Sequence, residues 1–468
     1  MLLLFGLAGC GEAGSARVDA SVDAAPRMDA DRMDADTAPP LRPLPTDTVP
    51  CRLALPSDAE DGRNVHCLDV AGSDGGDVSV HVTVFDATMP ALPVYVLMGG
   101  PALRGAAYVP HLGLATRRLR FGERPVVYVE QRGVGVSEPA LSCRFGEDLA
   151  ACAARWQREG LELGRFDTAH AADDVAAVAD RLGHATFALA GGSYGSRLGL
   201  EVLRRHGSRV ERAFLESLVA PDDDFLRALV EASEESLAAL FAACASEGCS
   251  RDVLARAAER ARADPPASSF GPMGEALLGF AFFEALYHQD LAATLPGTLE
   301  AFAAGAPEGV AGFEAALARP PRLERLAYFA VLCADLAPLF DAAAYQRAAD
   351  AGAPELAPLY ASVGATFDAC EDLGLVPGPA ASRTPVTSAV PTLLVAPGFD
   401  ARTPASAVAR VAATLSAART LELPGRVHTP VLGYQLERRA LDACAASVLR
   451  GFLDDPASPA PACVAERP

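Results

Sequence analysis

Residues 187–206 open Phe187-Ala188-Leu189-Ala190-Gly191-Gly192-Ser193-Tyr194-Gly195 and continue through Leu198, Leu200 and Val202 to His206. A short apolar run breaks into glycines around one serine, then becomes an amphipathic stretch stopped by Gly207. This order predicts a buried strand, a very tight turn and a helix over 196–206. Glycines flank the serine because side chains there would collide with the adjoining strand and helix. Such a turn lifts a hydroxyl clear of the sheet and sets it at the positive end of a helix, beside free N–H groups. A glycine-rich turn of a nucleotide-binding fold is the alternative. It gives no reason for a centred serine, and no G-x-G-x-x-G follows the first strand. Ser193 is the candidate nucleophile, and the Tyr194 N–H a candidate oxyanion donor.

Other short runs surround this one. Residues 78–85 alternate strictly, as a half-buried strand does. Residues 94–97, 126–129, 213–215, 393–395 and 420–423 are further apolar strands, with amphipathic stretches such as 167–182 between them. Continuous apolar strands alternating with helices mean a mostly parallel sheet covered by helices on both faces. Chemistry in such sheets collects past the carboxyl ends of the strands. Gly99-Gly100-Pro101, Glu130-Gln131-Arg132-Gly133 and Ser193 all lie there. Gly100 is the candidate second oxyanion donor, with Gly99 the runner-up, because glycine lets the backbone approach a substrate closely.

A serine nucleophile needs a base and an acid, which follow it in the order Ser, Asp or Glu, His in this arrangement. Of eight histidines only His428 lies beyond residue 288, in the loop Pro424-Gly425-Arg426-Val427-His428 after the last strand. A neutral imidazole there could take the serine proton and return it to a leaving group. Asp400 follows the strand at 393–395 within Gly398-Phe399-Asp400-Ala401-Arg402-Thr403-Pro404. Its carboxylate would orient the imidazole. An ordinary turn-capping aspartate is the alternative.

These motifs together resemble one family, the tripeptidyl- and prolyl-aminopeptidase branch of the α/β-hydrolase serine peptidases, with its related exported esterases. The likeness spans about residues 50–465. It is carried by Gly99-Gly100-Pro101, Gln131-Arg132-Gly133-Val134-Gly135-Val136-Ser137, Gly191 to Gly195, Gly398-Phe399-Asp400 with Thr403-Pro404, and His428. It departs where the family has His-Gly-Gly-Pro-Gly and this chain has Met98 and Ala102 about Gly99-Gly100-Pro101. It departs again at Glu130, where the family has Asp, and at Val427, where it often has Gly. These changes bear on oxyanion-loop geometry and substrate preference more than on reaction class. The resemblance implies an α/β-hydrolase fold with an inserted helical cap and a Ser193–Asp400–His428 triad working through an acyl-enzyme. It also implies a peptide substrate held by its free amine on acidic cap residues. Carboxylester cleavage by the same triad is the alternative, and an inactive binding lipoprotein a remote one.

From 222 to about 385 the chain is Ala/Leu-rich and helical in pattern, for example over 223–246 and 323–340. Breaks fall at Pro265-Pro266, Pro320-Pro321 and Pro377 to Pro379. So long an insertion reads as a cap over the site, shaping the pocket and excluding water. Glu284, Asp290 and Asp335 are its candidate amine ligands. The reading divides the chain into 1–10, 11–50, core 51–221, cap 222–385 and core 386–468.

Residues 1–9, an apolar run ending Leu7-Ala8-Gly9 before Cys10, resemble the lipobox of bacterial lipoproteins, in which the cysteine is lipidated. The run is short and lacks a positive start. Residues 11–50 repeat Asp, Ala, Pro, Met and Arg with few large apolar groups, so they read as a tether. A calcium loop is not expected, since no glycine-containing loop with a terminal Glu follows the Asp repeats. Setting Cys10 aside leaves an even ten of eleven cysteines. In an exported protein these read as disulfides, with neighbours 51–67, 143–152, 244–249, 333–370 and 444–463 as the pairing; zinc fits the spacings poorly. The expected location is the bacterial cell envelope, as a lipoprotein, or a secreted or periplasmic state.

Net charge is −20, which argues against a nucleic-acid partner. All forty basic residues are Arg. Without lysine there is no Schiff-base or P-loop chemistry, and no cofactor or metal is expected. The expected partners are a peptide or small ester substrate, and a membrane only through the lipid anchor.

Overall fold

A computed structural model describes residues 47–59, 65–319, 323–433 and 442–465. The lipobox, Cys10 and nearly all of the tether lie outside the described residues. The chain first lays down β1 (Val65–Ala71), β2 (Ser79–Phe85) and β3 (Val94–Leu97), then α1 (Leu114–Phe121) and β4 (Val126–Val129). Next come α2 (Leu149–Arg158), α3 (Thr168–Leu182), β5 (Phe187–Gly192), α4 (Tyr194–His206) and β6 (Val210–Glu216). Two later strands complete the sheet. They are β9 (Thr392–Pro397) and β10 (Ala418–Leu423), with α14 (Ser406–Ala412) between them and α15 (Ala443–Asp454) after.

The sheet order is β1-β2-β4-β3-β5-β6-β9-β10. Only β2 runs antiparallel to its neighbours. From β4 to β10 all pairs are parallel, with Leu97 beside Gly191 and Gly191 beside Leu215. This is the α/β-hydrolase fold. The sequence reading assigned no strand to 65–71. That run carries His66 and Asp69 and becomes a strand only by pairing with β2 along its whole length.

Alternation divides the strands between two hydrophobic layers. Tyr95, Leu97, Leu189 and Leu215 pack with Val175, Val178, Leu198 and Val408 of α3, α4 and α14. Val94, Val96, Tyr128 and Phe214 pack with Phe121, Val448 and Phe452 of α1 and α15. Both faces are dry, which is why these strands read as unbroken apolar runs rather than half-polar ones.

Between β6 and β9 lies the helical insertion. It holds α5 (Phe225–Cys244), α6 (Asp252–Ala263), α7 (Glu275–Ala285), α8 (Gln289–Ala304) and α9 (Pro307–Leu317). α10 (Arg325–Val331), α11 (Ala342–Ala351), α12 (Ala357–Gly364) and α13 (Ala369–Asp372) follow, with a two-residue hairpin of β7 (Ala267–Ser268) and β8 (Gly271–Pro272) after α6. The expected helix at 323–340 is interrupted, since α10 passes into a π-helical turn at Leu332–Leu336. The insertion has its own core, built on Leu237, Leu240, Phe282, Leu299 and Phe313, and that core also takes in Ala401 and Val427. These are the chain neighbours of Asp400 and His428, so the insertion packs directly against both loops.

Five disulfides join Cys51–Cys67, Cys143–Cys152, Cys244–Cys249, Cys333–Cys370 and Cys444–Cys463, with Cα separations of 5.1–5.9 Å. Among the described residues, no single helix is long and apolar enough to cross a membrane.

Candidate active site

β5 passes into α4 at Ser193, whose φ of 54° and ψ of −130° few L-residues adopt. Such a conformation costs about 1–3 kcal/mol and persists only when its surroundings impose it. The surroundings here are crowded main chain. A Cβ on Gly191 would lie 2.3 Å from the Gly195 carbonyl oxygen, and one on Gly195 would lie 2.1 Å from that of Leu97. The Ser193 N–H donates to the Glu216 carbonyl at 3.1 Å. The Tyr194 N–H, first in α4, has no acceptor within the helix.

Asp400 sits in the turn after β9 and is almost fully buried. Its Oδ1 accepts from the N–H groups of Arg402 and Thr403 at 2.9 and 3.1 Å, and its Oδ2 from the Thr403 hydroxyl at 2.7 Å. His428 Nδ1 lies 2.8 and 2.9 Å from the two oxygens. Burial alone would raise this carboxyl. His428 and the hydrogen bonds outweigh it and hold Asp400 below the usual carboxylate range. Nδ1–H donation to an ionised Asp400 leaves Nε2 as the acceptor that a base needs.

Among the described residues the hydrogen bonds join His428 to Asp400 and not to Ser193. Ser193 is linked through β6 to the turn after His428, since the Glu216 carboxylate accepts from the N–H groups of Val431 and Leu432.

The loop after β3 is held from the end of β4. Gln131 Nε2 donates to the Met98 carbonyl at 2.9 Å, and its Oε1 accepts from the Ala102 N–H at 3.1 Å. Gly100 is exposed between these anchors with a φ of 110°. Glu130 lies fully buried beneath, accepting from the Gly105 N–H at 3.0 Å and the Tyr128 hydroxyl at 2.7 Å. A Cβ on Gly135 would fall 2.0 Å from its carboxylate. Gln131 and Glu130 thus clamp this loop, a role the sequence did not disclose. Their place just past a strand end was the available signal.

The insertion places the three acidic candidates differently. Asp290 is exposed and pairs with Arg319 at 2.8 Å. Asp335 is buried within hydrogen-bonding reach of Thr168, whose hydroxyl meets that of Tyr194 at 3.0 Å, so it underlies the elbow. Burial raises its carboxyl above the usual range. Glu284 reaches the Asp400 turn through Arg402. One of its oxygens pairs with Arg402, and Oε2 is buried without a hydrogen-bond partner. The Arg402 guanidinium lies over the rings of Phe283 and Tyr287, at 3.9 and 4.9 Å. Tyr287 in turn lies against His428, with ring centroids 5.1 Å apart. Gln289 holds the base loop from above, accepting from the Val427 N–H and donating to the Gly425 carbonyl. None of Arg402, Tyr287 or Gln289 was singled out from sequence.

Cys143, Glu147 and Cys152 form a cluster of metal-ligand type, but the two sulfurs are bonded to each other and so are not available as thiolates.

The sequence profile of the alpha/beta hydrolase fold family matches residues 93–243, from β3 through the elbow to the end of α5. Fold and site geometry together define the class, an α/β-hydrolase fold whose strand ends carry a strained serine and a buried Asp–His pair. Similar solved structures include an esterase of Rhodococcus sp. ECU1013, 17% identical, covering 83% of this chain and 98% of that one at a TM-score of 0.40. An esterase of Thermogutta terrifontis is 16% identical, covering 84% and 99% at 0.39. An esterase of Exiguobacterium antarcticum is 15% identical, covering 83% and 99% at 0.37. No curated protein sequence matches the chain.

Proposed function

We propose that this chain is a serine hydrolase acting through an acyl-enzyme, and that its substrates are peptides with a free N-terminus, from which it releases short fragments. The observation that carries the hydrolase reading is the strained Ser193 at a helix N-terminus together with the buried Asp400–His428 pair. His428 Nε2 takes the proton from Ser193 Oγ as the oxygen bonds to the acyl carbon. The N–H groups of Tyr194 and Gly100 receive the oxyanion. The imidazolium then protonates the leaving amine, and water reverses the sequence to free the acid.

Glu284 supports the aminopeptidase reading. Its Oε2 is buried without a hydrogen-bond partner and is linked to His428 by way of Arg402 and Tyr287, and an ammonium there would complete the ion pair. A second reading, carboxylesterase, is favoured by Arg402, which already neutralises the other oxygen of Glu284. The five disulfides support an oxidising, exported location, and Cys10 is proposed as its lipid anchor.

A fluorophosphonate should label the protein, and labelling should vanish in Ser193→Ala, whose turnover falls about 10⁵-fold or more. Aminoacyl and tripeptidyl amides should be cleaved and their N-acetylated forms spared. Equal cleavage of the acetylated forms sinks the aminopeptidase reading, and preference for short-chain esters replaces it with the second.

A further inference from the structure

The last residue of β6 is Glu216, and its side chain is wholly buried. Both carboxylate oxygens are used on the same short turn. Oε2 accepts from the Val431 N–H at 2.9 Å, and Oε1 from the Leu432 N–H at 2.7 Å. The next residue repeats the arrangement, with Ser217 Oγ accepting from the Thr429 N–H at 2.9 Å. Thr429 follows His428 directly and has a φ of 49°, and Ser217 has one of 52°. Glu216 and the residue after it therefore hold three main-chain N–H groups within four residues of His428, in a backbone conformation that does not persist unaided. The main chain of Glu216 meanwhile accepts the Ser193 N–H. One residue thus touches the nucleophile with its backbone and the turn carrying the base with its side chain.

We infer that Glu216 is a positioning residue, whose carboxylate sets the turn that aims His428 at Ser193. The inference rests on the hydrolase reading above and adds a fourth polar group to it. Glu216 does not touch the reacting atoms. A hydroxyl and an imidazole react efficiently only when held in the right geometry, and a shift of about 1 Å can cost about 10²-fold.

The charged form is the one that serves. An ionised carboxylate accepts at both oxygens, whereas a protonated one turns an O–H toward one of the two N–H groups and leaves it unpaired. The groups facing Glu216 are Arg120 of α1, which favours the charge, Asp400, which opposes it, and the Tyr108 hydroxyl. Burial dominates and pushes the carboxyl up to about 7, against the Leu432 and Val431 N–H groups and Arg120. The turn therefore loosens as pH falls through about 7.

The rate of Ser193 labelling by a small fluorophosphonate, followed from about pH 5 to about pH 9, tests this without knowledge of the substrate. In the wild type the rate should rise with pH as Glu216 loses its proton. In Glu216→Gln, which keeps the shape but loses one acceptor, the rate should fall about 10- to 100-fold at the alkaline plateau. The rise owed to Glu216 should then be missing, with the circular-dichroism spectrum unchanged. Wild-type labelling by Glu216→Gln at every pH overturns the inference. So does wild-type labelling by Glu216→Asp, which keeps the charge but draws it back from the turn, and this decides the matter even if the glutamine variant does not fold. No labelling of the wild type at any pH is a different failure, that of Ser193 as nucleophile.

Discussion

Around Ser193 the main chain does the positioning, whereas above His428 side chains from the insertion do. At the elbow, Gly191, Gly195 and Leu97 approach so closely that no Cβ fits, and the strained φ of Ser193 follows from that crowding. Over the base, a stack of Phe283, Arg402 and Tyr287 reaches the imidazole, and Gln289 pins the loop beside it. Main-chain crowding admits essentially one residue type at each position. Side-chain packing can be met by many combinations, provided volume and polarity are kept. The first kind of region therefore tolerates little change around Ser193, and the second can change while the Asp400–His428 pair is kept.

Three substitutions would break or sharpen this contrast. The largest effect is expected from Gly195→Ala. Its new methyl would meet the carbonyl oxygens of Leu97 and Met98 at 2.1 and 3.0 Å, and neither belongs to a flexible side chain. A stability loss of about 3 kcal/mol or more should appear in urea unfolding. An unchanged midpoint would show that the elbow is not held by backbone crowding.

Next comes the pH dependence of the core. Burial pushes Glu130 up to about 7, against the Tyr128 hydroxyl, the Gly105 N–H and Arg104, with Glu324 pushing it further. The folded protein therefore binds this proton more tightly than the unfolded chain. The stabilisation is complete below the ordinary value of 4.5 and is lost as pH rises through about 7. Glu130→Gln should flatten the stability–pH curve in that window, removing a fall of at most about 3 kcal/mol. Glu216, also pushed up to about 7, should keep part of the slope. Unfolding midpoints measured across the window check both.

The smallest effect, and the most selective, belongs to the insertion. Glu284→Gln should lower kcat/KM for free-amine amides about 10- to 100-fold, through KM, and leave acetylated or ester substrates unchanged. An equal loss on every substrate would make Glu284 a support for Arg402 and not a ligand.

Several particulars were legible in advance because local sequence carries their cause. The elbow, the strands at 94–97 and 126–129, and the places of Asp400 and His428 past strand ends all follow from apolar runs broken by glycine or polar residues. Proximity in sequence made the disulfide partners readable as neighbours. The loop after β3 was only half legible. Its glycines could be read as a close-approach turn, but the clamp by Gln131 joins residues about thirty positions apart. Glu130 looked like a departure from a familiar motif, and it proves to be the buried anchor of Gly105. Among Glu284, Asp290 and Asp335 the sequence held no basis for choice, since all three are acidic residues in helical surroundings. Burial and neighbours separate them.

By itself the amino-acid sequence determined the fold class, the mostly parallel character of the sheet, the residue types at the strand ends and the absence of lysine chemistry. Those depend on side-chain periodicity and on steric rules that act over a few residues. Only the tertiary structure decided that Glu216 spans from Ser193 to the turn after His428, that Arg402 and Tyr287 tie the insertion to the imidazole, and that Glu284 leaves one buried oxygen without a hydrogen-bond partner. Each of these is a contact between distant segments, and its energy arises from dehydration and geometry that exist only once the sheet and the insertion have packed together.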